Sequence, residues 1–438
     1  MLPEPSFAFT VPSVHDDTVL ACRIYLPVCL GGRSSSGNKA MRRRADSTRN
    51  SSMSGTAATA AQGTASWVKR GVILAHPYAP LGGCFDNPVV HSLAREILDA
   101  GWIVGTFNFR GAAPSKGRTS WTGKAELNDY ISFAGFFIHF LHFLNTTQDH
   151  ESLSSPDSPS QPTGSPITPT KYPSQQSSGS CTAPPTALIL GGYSYGSLIL
   201  TNLPPIPSIL SRFTNPPAGS AAAEVLLRAG AIATQANHDI HAFLHRNRSR
   251  RGACSARLTT VGGEETSPEK RRRSREMRPN MEGLRKSFEL PRRIISLRGV
   301  GRKGGNGAHN DDDEEEEHGS SIPLPDTSFL LVSPLIPPTS MFLTMFSRGG
   351  RMDAEVEARL TKSRTLAVFG DRDAFTSVKK LRPWAEALNT KSGGLFESRE
   401  ISGAGHFWME RGSDESLKEA VRAWVRRLGR SDGAEEGR

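Results

Sequence analysis

Ala187-Leu188-Ile189-Leu190-Gly191, then Gly192-Tyr193-Ser194-Tyr195-Gly196, then Ser197-Leu198-Ile199-Leu200 carry the strongest fold signal in the chain. An apolar run enters, a glycine-flanked serine follows, and a second apolar run leaves. The pattern reads as buried strand, sharp turn and helix, the context of a nucleophile elbow. Such a turn lifts the serine oxygen clear of the backbone at the end of a strand. The flanking positions are glycine because a Cβ there would collide with neighbouring chain. In a sequence with 42 glycines the pentapeptide alone is weak evidence; the strand before it and the helix after it give it weight.

On either side of this segment, short apolar runs alternate with helical patterns. Phe7 to Thr10 and Leu20 to Leu26 read as strands, and Gly71 to Ala75 as a buried one. Asn87 is a plausible N-cap with Pro88 in the first helical position; Val90, Leu93 and Ile97 share one face, and Gly101 can terminate the helix. A strand is expected at Trp102 to Phe109, then a helix over Gly123 to Leu144 with Thr122 as its cap. Its apolar run, Ile131 to Leu144, is too short for the roughly 20 residues that a membrane helix needs, and its His139 and His142 read as structural. After the elbow come an apolar-patterned segment, Ala222 to Leu244, and strands at Ser328 to Ser333, Thr365 to Phe369 and Leu395 to Ile401. Ser413 can cap a terminal helix carrying Leu417, Val421, Trp424, Val425 and Leu428, with Gly429 ending it.

This β-α-β alternation implies an α/β fold: a mostly parallel, twisted sheet with right-handed crossovers and helices on both faces. Ligands bind such sheets at the carboxyl ends of the strands, so the loops after Ala75, Phe109, Gly191, Ser333 and Phe369 are expected to surround one site.

A serine hydroxyl needs a base within hydrogen-bond reach, usually a histidine whose tautomer is fixed by a carboxylate. Two late strands run into Gly370-Asp371-Arg372-Asp373 and Gly403-Ala404-Gly405-His406-Phe407-Trp408. The candidate set is Ser194, Asp373 and His406, in the chain order Ser-Asp-His. Asp373 is preferred to Asp371 because Gly370-Asp371 forms the turn just past the strand, leaving the second carboxylate to reach back. Acyl transfer also needs two donors for a developing oxyanion. One is expected from the backbone N–H of Tyr195. The other is expected from the loop His76-Pro77-Tyr78-Ala79-Pro80-Leu81-Gly82-Gly83, where the prolines have no N–H and Tyr78 is the best candidate, Ala79 the second.

On these residues the chain resembles the α/β-hydrolase superfamily, and is most similar to its small serine-hydrolase branch. The resemblance is carried by His76-Pro77, Gly82-Gly83 and Asn87; by Phe107-Asn108-Phe109-Arg110-Gly111 with Ser115 and Gly117; by Gly123, Glu126 and Asp129; and by the elbow, Asp373 and His406. It implies an α/β-hydrolase fold and an architectural Arg110. The departures are long inserts and Ala79-Pro80, where related proteins often carry another His-Pro pattern. Since the family hosts esterases, thioesterases, lipases, peptidases and silent members, it implies a mechanism class and no substrate. Met341, Phe342, Leu343, Met345 and Phe346 are candidates to line an apolar acyl pocket, and packing against the sheet explains them equally well.

The 438 residues contain one expected domain with core segments 5–30, 67–145, 186–245 and 326–430. Between them lie 31–66, rich in Ser, Gly, Ala and Arg, 146–185, rich in Ser and Pro, and 246–325, basic then acidic; all three are expected to be disordered. Arg246 to Lys303 hold 18 Lys or Arg against 6 Glu, a surplus larger than the +10 of the whole chain, so the folded remainder is near neutral. The segment has no interleaved aromatic platform, which disfavours a nucleic-acid interface and leaves transient contact with acidic partners, or nuclear import through Lys270 to Arg273, as minor expectations.

Five cysteines, odd in number and without a close pair, read as free thiols; the N-terminus has no positive stretch followed by an apolar one, so the cytoplasm is expected. No cofactor or metal is expected. The leading expectation is a serine hydrolase of small carboxylic esters or thioesters working through an acyl-enzyme. A small-peptide or amide hydrolase of the same fold is the first alternative. The second is a silent scaffold that binds acidic partners through its basic insertion.

Overall fold

The computed structural model describes residues 2–32, 67–145, 185–255, 322–336 and 354–431, with side chains to 247 in the third range and 429 in the last. Most of the expected inserts, and the whole apolar set from Met341 to Phe346, lie outside the described residues. Residues 1–247 and 322–438 make one compact unit and 248–321 a second; the sheet belongs to the first.

In chain order the elements are β1 (Phe7–Pro12), β2 (Val19–Tyr25), β3 (Arg70–Ala75), α1 (Pro88–Asp99), β4 (Ile103–Phe107), α2 (Lys124–Phe143), β5 (Ala187–Tyr193), α3 (Tyr195–Thr201), α4 (Ile206–Leu210), α5 (Ala221–Ser255), β6 (Asp326–Val332), α6 (Ala354–Lys362), β7 (Thr365–Gly370), α7 (Val378–Ser392), β8 (Phe396–Ile401) and α8 (Ser413–Ser431). The eight strands form one sheet in the order β1-β2-β4-β3-β5-β6-β7-β8. β1 and β2 pair antiparallel, β2 pairs antiparallel with β4, and every pairing from β4 to β8 is parallel.

The central strands are apolar at nearly every position because both faces are covered. Alternate residues serve opposite cores. Ile73, Leu190, Leu331 and Phe369 pack on the face that carries α2, α3, α5, α6 and α7, and Val72, Leu74, Ile189, Leu330 and Val368 on the face that carries α1 and α8. α2 is apolar almost all round, and Phe133, Phe136, Phe137 and Phe140 stack along it at three- and four-residue spacing. Among the described residues no helix is long and apolar enough to cross a membrane. In α5, Val225, Ala229, Ala233, Ala236 and Ile240 follow the helical period onto the core. His139 is buried in α2 and its Nδ1–H donates to the Gly135 carbonyl at 2.7 Å.

Several ends differ from expectation. Gly123 at φ +71, and not Thr122, holds the cap position of α2; a positive φ suits glycine, and Thr122 Oγ1 instead accepts from Lys124 N–H at 3.3 Å. α8 begins at Ser413, after Gly412 at φ +85, and continues through Gly429 to Ser431. α5 continues past Arg246 to Ser255, and Ile322 to Pro325 lead into β6; the rest of the range 246–325 lies outside the described residues. Asn87 does cap α1, accepting from Val89 N–H at 3.0 Å. Cys22, Cys29 and Cys84 are free thiols.

The chain enters and leaves two of the inserts at one edge. β2 runs opposite to β4, so it ends where β3 begins; α2 returns to the same edge, where β5 begins. There Asn237 of α5 donates to Phe143 O and accepts from Asn145 N–H, both at 2.9 Å, and the Phe243 ring packs on Gly31. Ser194, Asp373 and His406 lie at the other edge, after the carboxyl ends of β5, β7 and β8.

Candidate active site

Ser194 occupies the turn between β5 and α3 at φ +55 and ψ −113, a backbone conformation that a side chain rarely adopts. Its N–H is held by Val332 O at 2.8 Å, and α3 closes the turn from the other side, with Ser197 and Leu198 N–H donating to Ser194 O. Both elbow glycines are sterically required. A Cβ on Gly192 would lie 2.3 Å from the Gly196 carbonyl carbon, and one on Gly196 would lie 2.5 Å from Ala75 O and 2.8 Å from His76 O. The second contact shows how closely the first turn of α3 approaches the end of β3.

Ser194, His406 and Asp373 are joined in series. The Ser194 hydroxyl donates to His406 Nε2 at 2.7 Å, and His406 Nδ1–H donates to Asp373 Oδ2 at 2.7 Å. The tautomer follows from the partners, since an ionised carboxylate can only accept. The other carboxylate oxygen, Oδ1, accepts from Phe375 N–H at 2.8 Å and Thr376 N–H at 3.0 Å. All three residues are buried. Asp371 faces elsewhere, and its carboxylate accepts from Gly403 N–H at 2.7 Å and Ser402 Oγ at 3.3 Å.

Several supporting groups escaped the sequence reading. Tyr193 donates its hydroxyl to His406 O at 2.8 Å, and the Phe375 ring lies 4.3 Å from the imidazole. Asp373 followed by Phe375 and Thr376 is an Asx-turn pattern, a signal that was legible in principle. Five non-glycine residues among those described have positive φ, and Ser194, Ser333 and Trp408 are three of them. Trp408 Nε1–H donates to Ser333 Oγ at 3.0 Å, so two of these positions brace each other past the ends of β6 and β8.

The loop after β3 begins with buried His76. Its Nδ1–H donates to Pro77 O at 2.6 Å and its Nε2 accepts from Phe109 N–H at 2.9 Å. Burial lowers its pKa to about 4, so the ring is a neutral fixture tying this loop to the chain after β4. Tyr78 precedes a single turn over Ala79–Leu81, and its carbonyl accepts from Leu81 and Gly83 N–H, both at 3.1 Å. Tyr195 opens α3, so its N–H lies outside the helix's own ladder.

Beside the loop after β4 sits a polar cluster. Arg110 donates to Asp129 through Nε at 3.0 Å and Nη2 at 2.7 Å, to Asp16 through Nη1 at 2.9 Å and Nη2 at 3.1 Å, and to Ser13 Oγ. Burial opposes the charge on Arg110, but the two carboxylates outweigh it and hold its pKa above the ordinary value; in return Arg110 draws Asp16 down to about 2. Glu126 accepts from Ser120 N–H at 2.6 Å and Ser120 Oγ at 2.5 Å, while its burial raises its own pKa. This cluster braces loops and does not touch the serine. No group of His, Cys, Asp and Glu suited to a metal ion occurs among the described residues.

No family model matches the sequence, and no curated protein matches it. Among solved structures, the chain is similar to an α/β serine hydrolase homologue from Coxiella burnetii, at 14% identity over 98% of this chain and 100% of that one, with a TM-score of 0.37. It is similar also to an α/β serine hydrolase without a lid from Xanthomonas campestris, at 13% identity over 98% and 97%, TM-score 0.38. An esterase from Pyrococcus furiosus matches at 9% identity over 96% and 90%, TM-score 0.38. At such identities and scores nothing about the chemistry passes from these proteins to this one. By its own strand order and by the turn that carries Ser194 between β5 and α3, the chain has the α/β-hydrolase fold.

Proposed function

We propose that the protein is a serine hydrolase that cleaves carboxylic esters or thioesters. The observation that carries this reading is the hydrogen-bonded series Ser194, His406, Asp373 at a strained elbow. His406 Nε2 takes the Ser194 proton as Oγ attacks the substrate carbonyl, and Asp373 holds the tautomer and stabilises the imidazolium that forms. The backbone N–H groups of Tyr195 and Tyr78 receive the oxyanion. The tetrahedral species collapses, His406 protonates the departing alcohol or thiol, and an acyl-Ser194 ester remains. Water, deprotonated by the same histidine, repeats the sequence and frees the acid. No step draws on a cofactor.

The test is labelling of the purified protein with a fluorophosphonate, read by intact mass. One adduct on the wild type and none on Ser194→Ala is expected; undiminished labelling or hydrolysis by Ser194→Ala overturns the assignment. A comparison of acyl esters, thioesters and aminoacyl amides then ranks the leaving groups.

A further inference from the structure

The two residues proposed to supply the oxyanion donors also meet through their side chains. The Tyr78 and Tyr195 rings lie edge to face, with centroids 5.0 Å apart at 61°. Tyr195 in turn meets Phe109 at 5.9 Å, and Phe109 meets His76 at 4.9 Å. His76 closes the circuit through its bonds to Pro77 O and Phe109 N–H. Four rings thus join the loop after β3, the chain after β4 and the first turn of α3.

Tyr195 is 1% exposed, yet its hydroxyl is buried with no hydrogen-bond partner among the described residues. A phenol retained for its hydroxyl normally finds a partner when buried. The part of Tyr195 that the packing uses is the ring.

We propose that the Tyr78–Tyr195 contact is an aromatic clasp that sets the spacing of the two oxyanion donors, which makes both side chains positioning residues. The inference rests on the serine-hydrolase reading above. His76 anchors the loop on its strand side, but Tyr78 lies two residues on, just before the turn over Ala79–Leu81. There the ring contact ties the loop to α3. An edge-to-face pair has a preferred geometry, so it fixes separation and not mere proximity. Donors act on the oxyanion only when well placed, so a small widening costs transition-state binding and leaves ground-state binding largely alone.

The test measures kcat and KM for a chromogenic ester, and the inhibition constant of an alkyl boronic acid. The boronic acid adds to Ser194 through a new oxygen–boron bond and carries a boron-bound oxygen where the oxyanion would lie. For Tyr78→Leu the expected result is a fall in kcat of about tenfold or more, a matching rise in the inhibition constant, and KM within about threefold. Tyr78→Phe restores both. Tyr78→Leu/Tyr195→Leu is expected within about threefold of the worse single variant, because both break one contact. Multiplying losses, or an unchanged inhibition constant in Tyr78→Leu, overturns the clasp. Tyr78 is half-buried on a loop, so its variants decide the matter even if Tyr195→Leu does not fold. Fluorophosphonate labelling separates the two failures. An unlabelled wild type overturns the hydrolase reading and the clasp with it; a labelled wild type with an unchanged inhibition constant overturns the clasp alone.

Discussion

The carboxylates of Asp371 and Asp373, two residues apart after β7, serve different masters: Asp373 accepts from His406 Nδ1–H at 2.7 Å, and Asp371 accepts from Gly403 N–H at 2.7 Å. One orients the imidazole; the other shapes the loop that carries it. Asp373→Asn is expected to lower kcat by about 10⁴-fold, because the amide can donate and so favours the wrong imidazole tautomer. Asp371→Asn is expected to lower kcat by less than about tenfold and unfolding stability by about 1 kcal/mol. Steady-state kinetics and denaturant unfolding of the two variants check the contrast.

Gly196→Ala places a Cβ against the Ala75 and His76 carbonyl oxygens, which are backbone and cannot step aside. Denaturant unfolding is expected to show a loss of about 3 kcal/mol or more. Gly230 lies in α5, and a methyl group there would meet nothing within 4 Å, so Gly230→Ala is expected to stabilise by about 0.5–1 kcal/mol. Equal effects at the two positions would contradict the packing described for the elbow.

Removing the Arg110 guanidinium leaves Asp129, which is fully buried, without its cation. Arg110→Ala is expected to cost about 3–5 kcal/mol by chemical denaturation. Arg110→Lys is expected to recover less than half of that, since an ammonium cannot span Asp129, Asp16 and Ser13 at once.

His76 titrates at about 4 in the fold against an ordinary 6.5, so the unfolded chain binds the extra proton between those values. Its contribution is fully present above pH 6.5 and is lost as pH falls toward 4, on the order of 3 kcal/mol in all. His76→Gln retains an acceptor for Phe109 N–H and does not titrate. Its unfolding free energy is expected to fall less steeply between pH 6.5 and 4 than that of the wild type.

The parallel strands were legible because both faces are buried, so β3, β5, β6 and β7 appear as short apolar runs whose ends match the structure within a few residues. Ser194 and Asp373 were legible because each follows such a run; His406 follows β8, a polar edge strand, and was legible from its place between that strand and the terminal helix; the structure brings the three into contact. Strand order was not legible from local period, since nothing within β3 or β4 states that β4 lies next to β2. α7 was missed for a different reason: it carries Pro383 inside it and buries only Leu381, Ala385, Leu388 and Ser392, a narrow stripe in a polar, lysine-bearing sequence. Tyr193, Ser333 and Trp408, which steady the site, act through tertiary contacts that no spacing announces.

Gly32 follows the end of β2, Trp67 precedes β3, Asn145 follows α2 and Pro185 precedes β5, all on the edge of the sheet away from Ser194. Ser194, Asp373 and His406 follow the carboxyl ends of β5, β7 and β8, so these four anchors and the hydrogen-bonded series occupy opposite rims of one sheet.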